Sequence, residues 1–253
     1  MDRLAFNAAA AINEQRVARQ MTTNELANVS TPGFKRSFEA ALQAVKVEGP
    51  GFQSRLQPQA FTTDYINMTP GTPMSTGRDL DVSLNNQTVM GVTAPDGKLA
   101  FTRRGDLRVN ASGALENGAG HLVQGQGGSA ITVPPGLLVT VGTDGSVFAT
   151  DPAQVGAAPQ VAVGKLLLRD ASKTPLQRTE TGLFQVMGKP GQDIQPGPVA
   201  TSLTSRTLEG SNVNAMEVMV KMMAQSRSFE QQVNMIKESK QIDESGASMM
   251  KSS

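Results

Sequence analysis

The chain has 253 residues with 23 Lys+Arg against 22 Asp+Glu, so its formal charge of +1 supplies no global field toward nucleic acid or anionic lipid. Hydrophobic residues make up 38%, enough to form a core, whereas 4% aromatics without Trp leave little material for base-stacking or sugar-binding platforms. Cysteine is absent and His121 is the one histidine, which excludes disulfides, thiolate nucleophiles and His-pair metal sites and leaves one candidate base for any Ser-His-Asp arrangement.

From Leu4 onward, apolar residues recur at Leu4, Ala5, Ala8, Ala11, Ile12, Ala18, Leu26 and Val29, with misses at Gln15, Arg19, Thr22 and Glu25. This predicts an N-terminal helix whose apolar stripe is thin and built from small side chains. It should end near Asn28, because Pro32-Gly33 is a turn dipeptide and Pro32 disfavours helical geometry at Thr31. The stretch Leu4 to Ile12 is also long enough for a signal-peptide core. Met1-Asp2-Arg3 carries no net positive charge, however, and Asn7 interrupts the apolar run, so it is read as helix and not as a cleaved leader. No apolar stretch approaches the 18 or so residues that span a bilayer.

Residues 44–78 carry Gly49-Pro50-Gly51, Pro58, Pro70-Gly71 and Pro73, the composition of an extended connector. Beyond them the period drops to two at Asp81-Val82-Ser83-Leu84, Leu107-Arg108-Val109 and Ile131-Thr132-Val133. The turns Pro95-Asp96-Gly97, Ala111-Ser112-Gly113 and Thr143-Asp144-Gly145 predict hairpins. Val139-Thr140-Val141, Lys165-Leu166-Leu167-Leu168 and Leu183-Phe184-Gln185-Val186 extend the strands to about residue 190. Near the end, Asn214 with Glu217 three residues later forms a capping box that starts a second helix. Met219, Met222, Ser226, Phe229, Val233 and Ile236 then step by three and four, the spacing of a coiled-coil seam. Lys240 and Asp243 break the seam before Ala247 and Met250 partly resume it.

The fold class is therefore α+β: N- and C-terminal helices that pair in a coiled-coil-like layer, with an inserted all-β domain. A β domain buries its own core, but two amphipathic helices about 180 residues apart do not stand alone in water. Each needs the other and the same helices of neighbouring copies. The crowd of Met216, Met219, Met222, Met223 and Met235 suits such a role, since a flexible thioether packs against non-identical surroundings.

Several motifs carry less than they promise. Gly125-Gln126-Gly127-Gly128-Ser129-Ala130 fits a dinucleotide string but is followed by strand residues and Pro134-Pro135 where a helix should begin. Asp79 and Asp81 next to Arg78 read as a salt-bridged loop edge. The short pairs Lys35-Arg36 and Arg103-Arg104 read as solvated surface. His121 beside Gly120 lacks any Gly-x-Ser-x-Gly context and reads as a turn or sheet residue, so neither enzyme activity nor a cofactor or metal is expected.

Asn24-Glu25-Leu26-Ala27-Asn28-Val29-Ser30-Thr31-Pro32-Gly33-Phe34-Lys35 resembles the N-terminal signature of bacterial flagellar rod and hook proteins. Leu208-Glu209-Gly210-Ser211-Asn212-Val213-Asn214, Met219-Val220 and Arg227-Ser228-Phe229-Glu230 are similar to that family's other end. Gly77-Arg78-Asp79-Leu80-Asp81, Thr102-Arg103-Arg104-Gly105-Asp106 and Thr143-Asp144-Gly145-Ser146 resemble its β-domain motifs in the same order. The sequence departs at Glu25, usually Asn in the family, and at Arg104, often Asn. Met1-Asp2-Arg3-Leu4, the length and the tail Met249-Met250-Lys251 look most like a proximal-rod member, with the distal rod as nearest competitor.

The resemblance implies a structural subunit of the basal body in the periplasm, exported unfolded through the flagellar type III apparatus and partnered by copies of itself and other rod proteins. It implies neither nucleic-acid binding nor membrane insertion. The corresponding layout is an N-terminal helix at 1–31, a connector at 32–76, a β-rich domain at 77–206 and a C-terminal helix at 207–253. Interface residues are then Leu4, Ala8, Ala11, Ile12 and Leu26 on one helix, and Met219, Met222, Phe229, Val233 and Ile236 on the other. Asn24, Asn28 and Thr31 would satisfy backbone groups where the first helix gives way. A secreted β-domain binding protein and a hydrolase using His121 are the competing readings.

Overall fold

The computed structural model describes residues 2–37, 41–46, 56–61, 65–153 and 159–251, with side chains of the first helix described from Ala11. Two helices flank a β-rich middle, so the chain is α+β. Helix α1 spans Asp2–Ala27 and helix α2 spans Ala215–Lys251. α1 stops where the sequence predicts, with Thr31 N donating to Asn28 O at 3.1 Å in the turn that precedes Pro32-Gly33. α2 starts at its cap: Asn214 Oδ1 accepts from Met216 N at 3.0 Å and from Glu217 N at 3.3 Å. Replacing Asn214 by alanine is expected to destabilise α2 by about 0.5–2 kcal/mol, read as lost helical ellipticity on heating. An unchanged melt would show that the cap carries nothing.

Sixteen strands are described between the helices, all paired antiparallel. Residues 32–76, expected as a connector, hold β1 (Ala41–Lys46), β2 (Leu56–Phe61) and β3 (Pro73–Ser75). β1 pairs with β2, and Pro58 in β2 lies opposite Ala44. β4 (Val82–Leu84), β5 (Thr88–Thr93), β6 (Leu99–Thr102), β7 (Leu107–Val109) and β8 (Leu115–Asn117) follow. Next come β9 (Leu138–Val141), β10 (Ser146–Thr150), β11 (Val161–Lys165), β12 (Leu168–Asp170), β13 (Leu176–Arg178) and β14 (Phe184–Val186). β15 (Leu203–Ser205) and β16 (Thr207–Glu209) close the series.

All three hairpins read from turn dipeptides form. β5–β6, β7–β8 and β9–β10 turn at Gly97, Gly113 and Gly145, each with positive φ. Two strand expectations need correction. Ile131-Thr132-Val133 makes only an isolated bridge, Thr132 to Ala114, because its backbone is divided between partners, Ile131 N donating to Val123 O and Val133 N to Gly113 O. The run Lys165 to Leu168 is divided between β11 and β12, since Leu166 and Leu167 leave the ladder and bond instead to Gly145 O and Gln124 O. The strands also continue past residue 190. β15 pairs with β4 and β16 with β3, and Arg206 between them takes φ of 59° so that the chain can change partners.

The described residues fall into two compact units. One comprises Met1–Ala27, Glu39–Thr63 and Asn214–Ser253, the other Asn28–Phe38 and Asp64–Val213. The second unit, the β unit, owns the core. Val82, Leu84, Met90, Val92, Leu107, Leu115, Val147 and Leu166 are among the members of one buried cluster, and Val89, Phe101, Leu176, Phe184 and Ile194 belong to another. At about 1.5–3 kcal/mol for each large apolar side chain removed from water, this unit has the means to fold by itself. The helices do not. Among their described residues Val218 is the one fully buried apolar side chain. No helix is long and apolar enough to cross a membrane among the described residues.

Candidate functional site

One residue from each of three sequence blocks that carry the family resemblance meets the others inside the β unit. Lys35, Arg103 and Glu209 are 0%, 1% and 3% exposed and form a buried ion triad. Lys35 Nζ donates to Glu209 Oε1 at 2.6 Å and to Thr69 O at 2.8 Å. Arg103 Nε donates to Glu209 Oε2 at 2.7 Å, its Nη1 to Asn86 O and Thr88 O at 2.8 Å each, and its Nη2 to Leu84 O. Burial pulls the Lys35 ammonium below the ordinary lysine value; Glu209 opposes that effect and Arg103 reinforces it. Lys35 and Arg103 are thus not the solvated surface that the short cationic pairs suggested. Each belongs to an interior network in which every charged group has a stated partner.

The triad clamps the segment that follows α1 against the one that precedes α2. Gly33 N donates to Glu209 O at 2.7 Å, Asn212 N to Phe34 O at 3.2 Å, and Arg36 N to Asn212 Oδ1 at 2.7 Å. Glycine is required at two of these crossings. At Gly33, with φ of 68°, a Cβ would lie 2.2 Å from Arg103 O, and at Gly71 it would lie 2.0 Å from Gly210 O. Gly71 N also donates to Glu209 Oε1 at 2.9 Å. The Arg178 guanidinium lies 4.3 Å from the Phe34 ring centroid, adding a cation–π contact to the same corner.

The salt-bridged edge expected at Arg78, Asp79 and Asp81 forms, with Arg206 as the partner of Asp79, whereas Arg104, expected as solvated surface, is half-buried and paired. Arg78 Nη1 bonds Asp81 Oδ1 at 3.0 Å and Arg206 Nε bonds Asp79 Oδ1 at 2.7 Å. Arg104 grips Asp106 with two bonds, at 2.8 and 2.9 Å. His121 sits in a turn, its N–H donating to Asn117 Oδ1 at 3.0 Å, and burial lowers its pKa, with Arg104 adding to the effect. The glycine-rich stretch makes a tight loop, Gly125 N to Ser129 O at 2.9 Å, and no helix follows it. A cleft of about 880 Å³ in the β unit includes Tyr65, Met68, Asn86, Gln87 and Lys173 in its lining and presents no acid–base pair.

The residues expected at the interface lie as follows. Leu4 and Ala8 fall within α1, but their side chains lie outside the described residues. Ala11, Ile12 and Leu26 are half-buried. On α2, Met222, Val233 and Ile236 are half-buried, whereas Met219 is 45% and Phe229 41% exposed. Met216, Val220, Met223, Met235 and Ile242 are exposed as well, so large apolar side chains of α2 remain in water. Asn24 is exposed, Asn28 and Thr31 are half-buried, and Thr31 Oγ1 donates to Asn28 Oδ1 at 3.2 Å.

Comparison with known proteins decides among the readings. The family model for the flagellar basal body rod FlgEFG protein C-terminal region matches residues 204–249, which hold Glu209 and most of α2. The model for the flagellar hook protein FlgE/F/G D1 domain matches residues 85–149, which hold Arg103. Over 241 residues the chain is 36% identical to the flagellar basal-body rod protein FlgF of Salmonella typhimurium, covering 93% of each chain. The chain belongs to the flagellar basal-body rod protein family. FlgF of Escherichia coli is likewise 36% identical over 240 residues, covering 93% of each chain, and the rod protein FlgG of Buchnera aphidicola from Schizaphis graminum is 29% identical over 238 residues, covering 87% of this chain and 88% of its own. As a rod protein of the basal body it is a structural subunit of the motility apparatus, most like FlgF. The ion triad is what sequence reading of this rod protein missed. Its members stood inside the recognised blocks, but their charges gave no local sign of pairing across the chain.

Proposed function

We propose that this chain is a proximal-rod subunit that assembles helically with copies of itself and other rod proteins through α1 and α2. The carrying observation is the α2 surface: Met216, Met219, Val220 and Met223 stand in water while Val218 alone among its described apolar residues is fully buried. A helix with that surface has not yet met its final partner. In this reading the helices form a coiled-coil layer, and heterologous contacts that do not close into a ring produce a hollow tube. The β unit, Asn28–Phe38 with Asp64–Val213, is then the part of the subunit that the helical layer carries. Torque is then spread over many interhelical contacts, with Ala11, Ile12 and Leu26 on α1 and Met219, Met222, Phe229, Val233 and Ile236 on α2 as carriers. Leu4 and Ala8 extend the same stripe. The subunit reaches the periplasm unfolded through the flagellar export apparatus.

Deleting residues 214–253 tests this. Because the β unit has its own core, the shortened chain should keep a protease-resistant fragment of that unit, yet cells relying on it should not swim. Normal swimming would overturn the proposal and favour a β-domain binding protein with dispensable ends.

A further inference from the structure

α1 and α2 meet through polar side chains. Gln15 Nε2 donates to Ser228 Oγ, and Gln225 Nε2 donates to Thr22 Oγ1 at 3.1 Å. Partners descend in α2 as positions rise in α1, so the helices run antiparallel. Thr22 is buried and satisfied twice, since its hydroxyl also donates to Ala18 O at 2.9 Å. On the same two helices, Oε1 of Glu14, Gln15, Gln225 and Gln232 is buried without a hydrogen-bond partner among the described residues. Such acceptors cost stability, so the seam is poorly explained as glue. Polar groups inside a helix pair instead select one alignment over its neighbours.

We propose that Gln15–Ser228 and Thr22–Gln225 form a register lock, holding α1 and α2 in one antiparallel alignment that leaves Met216, Met219, Val220 and Met223 outward for a second copy of the chain. This rests on the assembly reading above. The chemistry of the alternatives supports it. Sliding α2 by seven residues, one repeat of the seam, places Lys221 or Met235 opposite Gln15 in place of Ser228. Toward Lys221 the ammonium can still donate to Gln15 Oε1, but Thr22 then faces Val218, which offers no polar group. Toward Met235 the chain's Gln232 can still serve Thr22, but Gln15 faces a thioether, a weak acceptor. Each slip thus loses one of the two bonds, and only the observed alignment keeps both. The apolar residues supply no comparable discrimination, because the methionines that repeat along α2 pack acceptably in several positions.

The lack of native cysteine makes the test direct. In the purified full chain at high dilution, Gln15→Cys is combined with Ser228→Cys (matched) or Lys221→Cys (slipped) and treated with a short bis-maleimide linker. These cysteines replace the Gln15–Ser228 bond, so the cross-link reads the Thr22–Gln225 bond, which this slip sets against Val218. With Thr22 and Gln225 intact, the matched pair should cross-link at least tenfold more efficiently than the slipped pair. Adding Thr22→Leu and Gln225→Leu should shrink that preference below twofold, and Thr22→Ala with Gln225→Ala should do the same should leucine disturb packing. Val233→Leu, an apolar change on the same helix, should leave it intact. A preference that survives both double substitutions, or no matched preference at the outset, overturns the lock. The cross-link is read on the isolated chain, so its failure leaves the deletion result untouched, and loss of the assembly reading is registered separately by swimming.

Discussion

Replacing Glu209 by glutamine is expected to destabilise the β unit by about 3–5 kcal/mol, the usual consequence of removing one partner from a buried ion network. The amide oxygen can still serve Lys35 Nζ and Gly71 N, but its NH2 then faces Arg103 Nε, donor against donor, and two buried cations are left without an anion. Denaturant unfolding of the full chain measures the loss. Arg206→Ala provides the scale: its partner Asp79 is solvent-exposed, and breaking that pair should cost less than about 1 kcal/mol. Equal losses in the two variants would mean that the triad is no more than another surface bridge.

Phe229→Asp is expected to abolish assembly while sparing the isolated subunit. Phe229 is 41% exposed in the single chain, so a carboxylate there keeps water and the fold should change by no more than about 1 kcal/mol. Covered by a second copy, the same carboxylate becomes an unpaired buried charge, with a penalty of several kcal/mol at every repeat of the assembly. Swimming of complemented cells and unfolding of the purified chain are measured side by side. A motile strain would remove Phe229 from the interface, and a collapsed monomer would assign it an intrachain role.

These outcomes bear on what the sequence could disclose. Helix ends and hairpins were legible because their causes are local: Asn214 caps within three residues, and Gly97, Gly113 and Gly145 turn within four. The triad was not, because Lys35 finds Glu209 across 174 residues and Arg103 finds it across 106. A two-residue cationic string looks solvated until the fold delivers its anion. The α2 seam shows a different limit. Apolar spacing selects Met219, Phe229 and their repeats, and it gives no sign of Gln225 and Ser228, which are among the residues that bond to α1. Periodicity reports which face gains by leaving water and says nothing about which neighbour arrives. β15 and β16 escaped because their partners, β4 and β3, lie far back in the chain, so no hairpin turn announces them.

Glu209 has a further consequence for timing. A polypeptide that emerges N-terminus first presents Lys35 early and Arg103 midway, and neither acquires its counter-charge until the last fifth or so of the chain has begun to appear. Until then β3 and β4 also lack the strands that complete them, β16 and β15. The fold is thereby closed from its tail, and the β unit cannot reach its finished, charge-balanced state until residue 209 is free to join it.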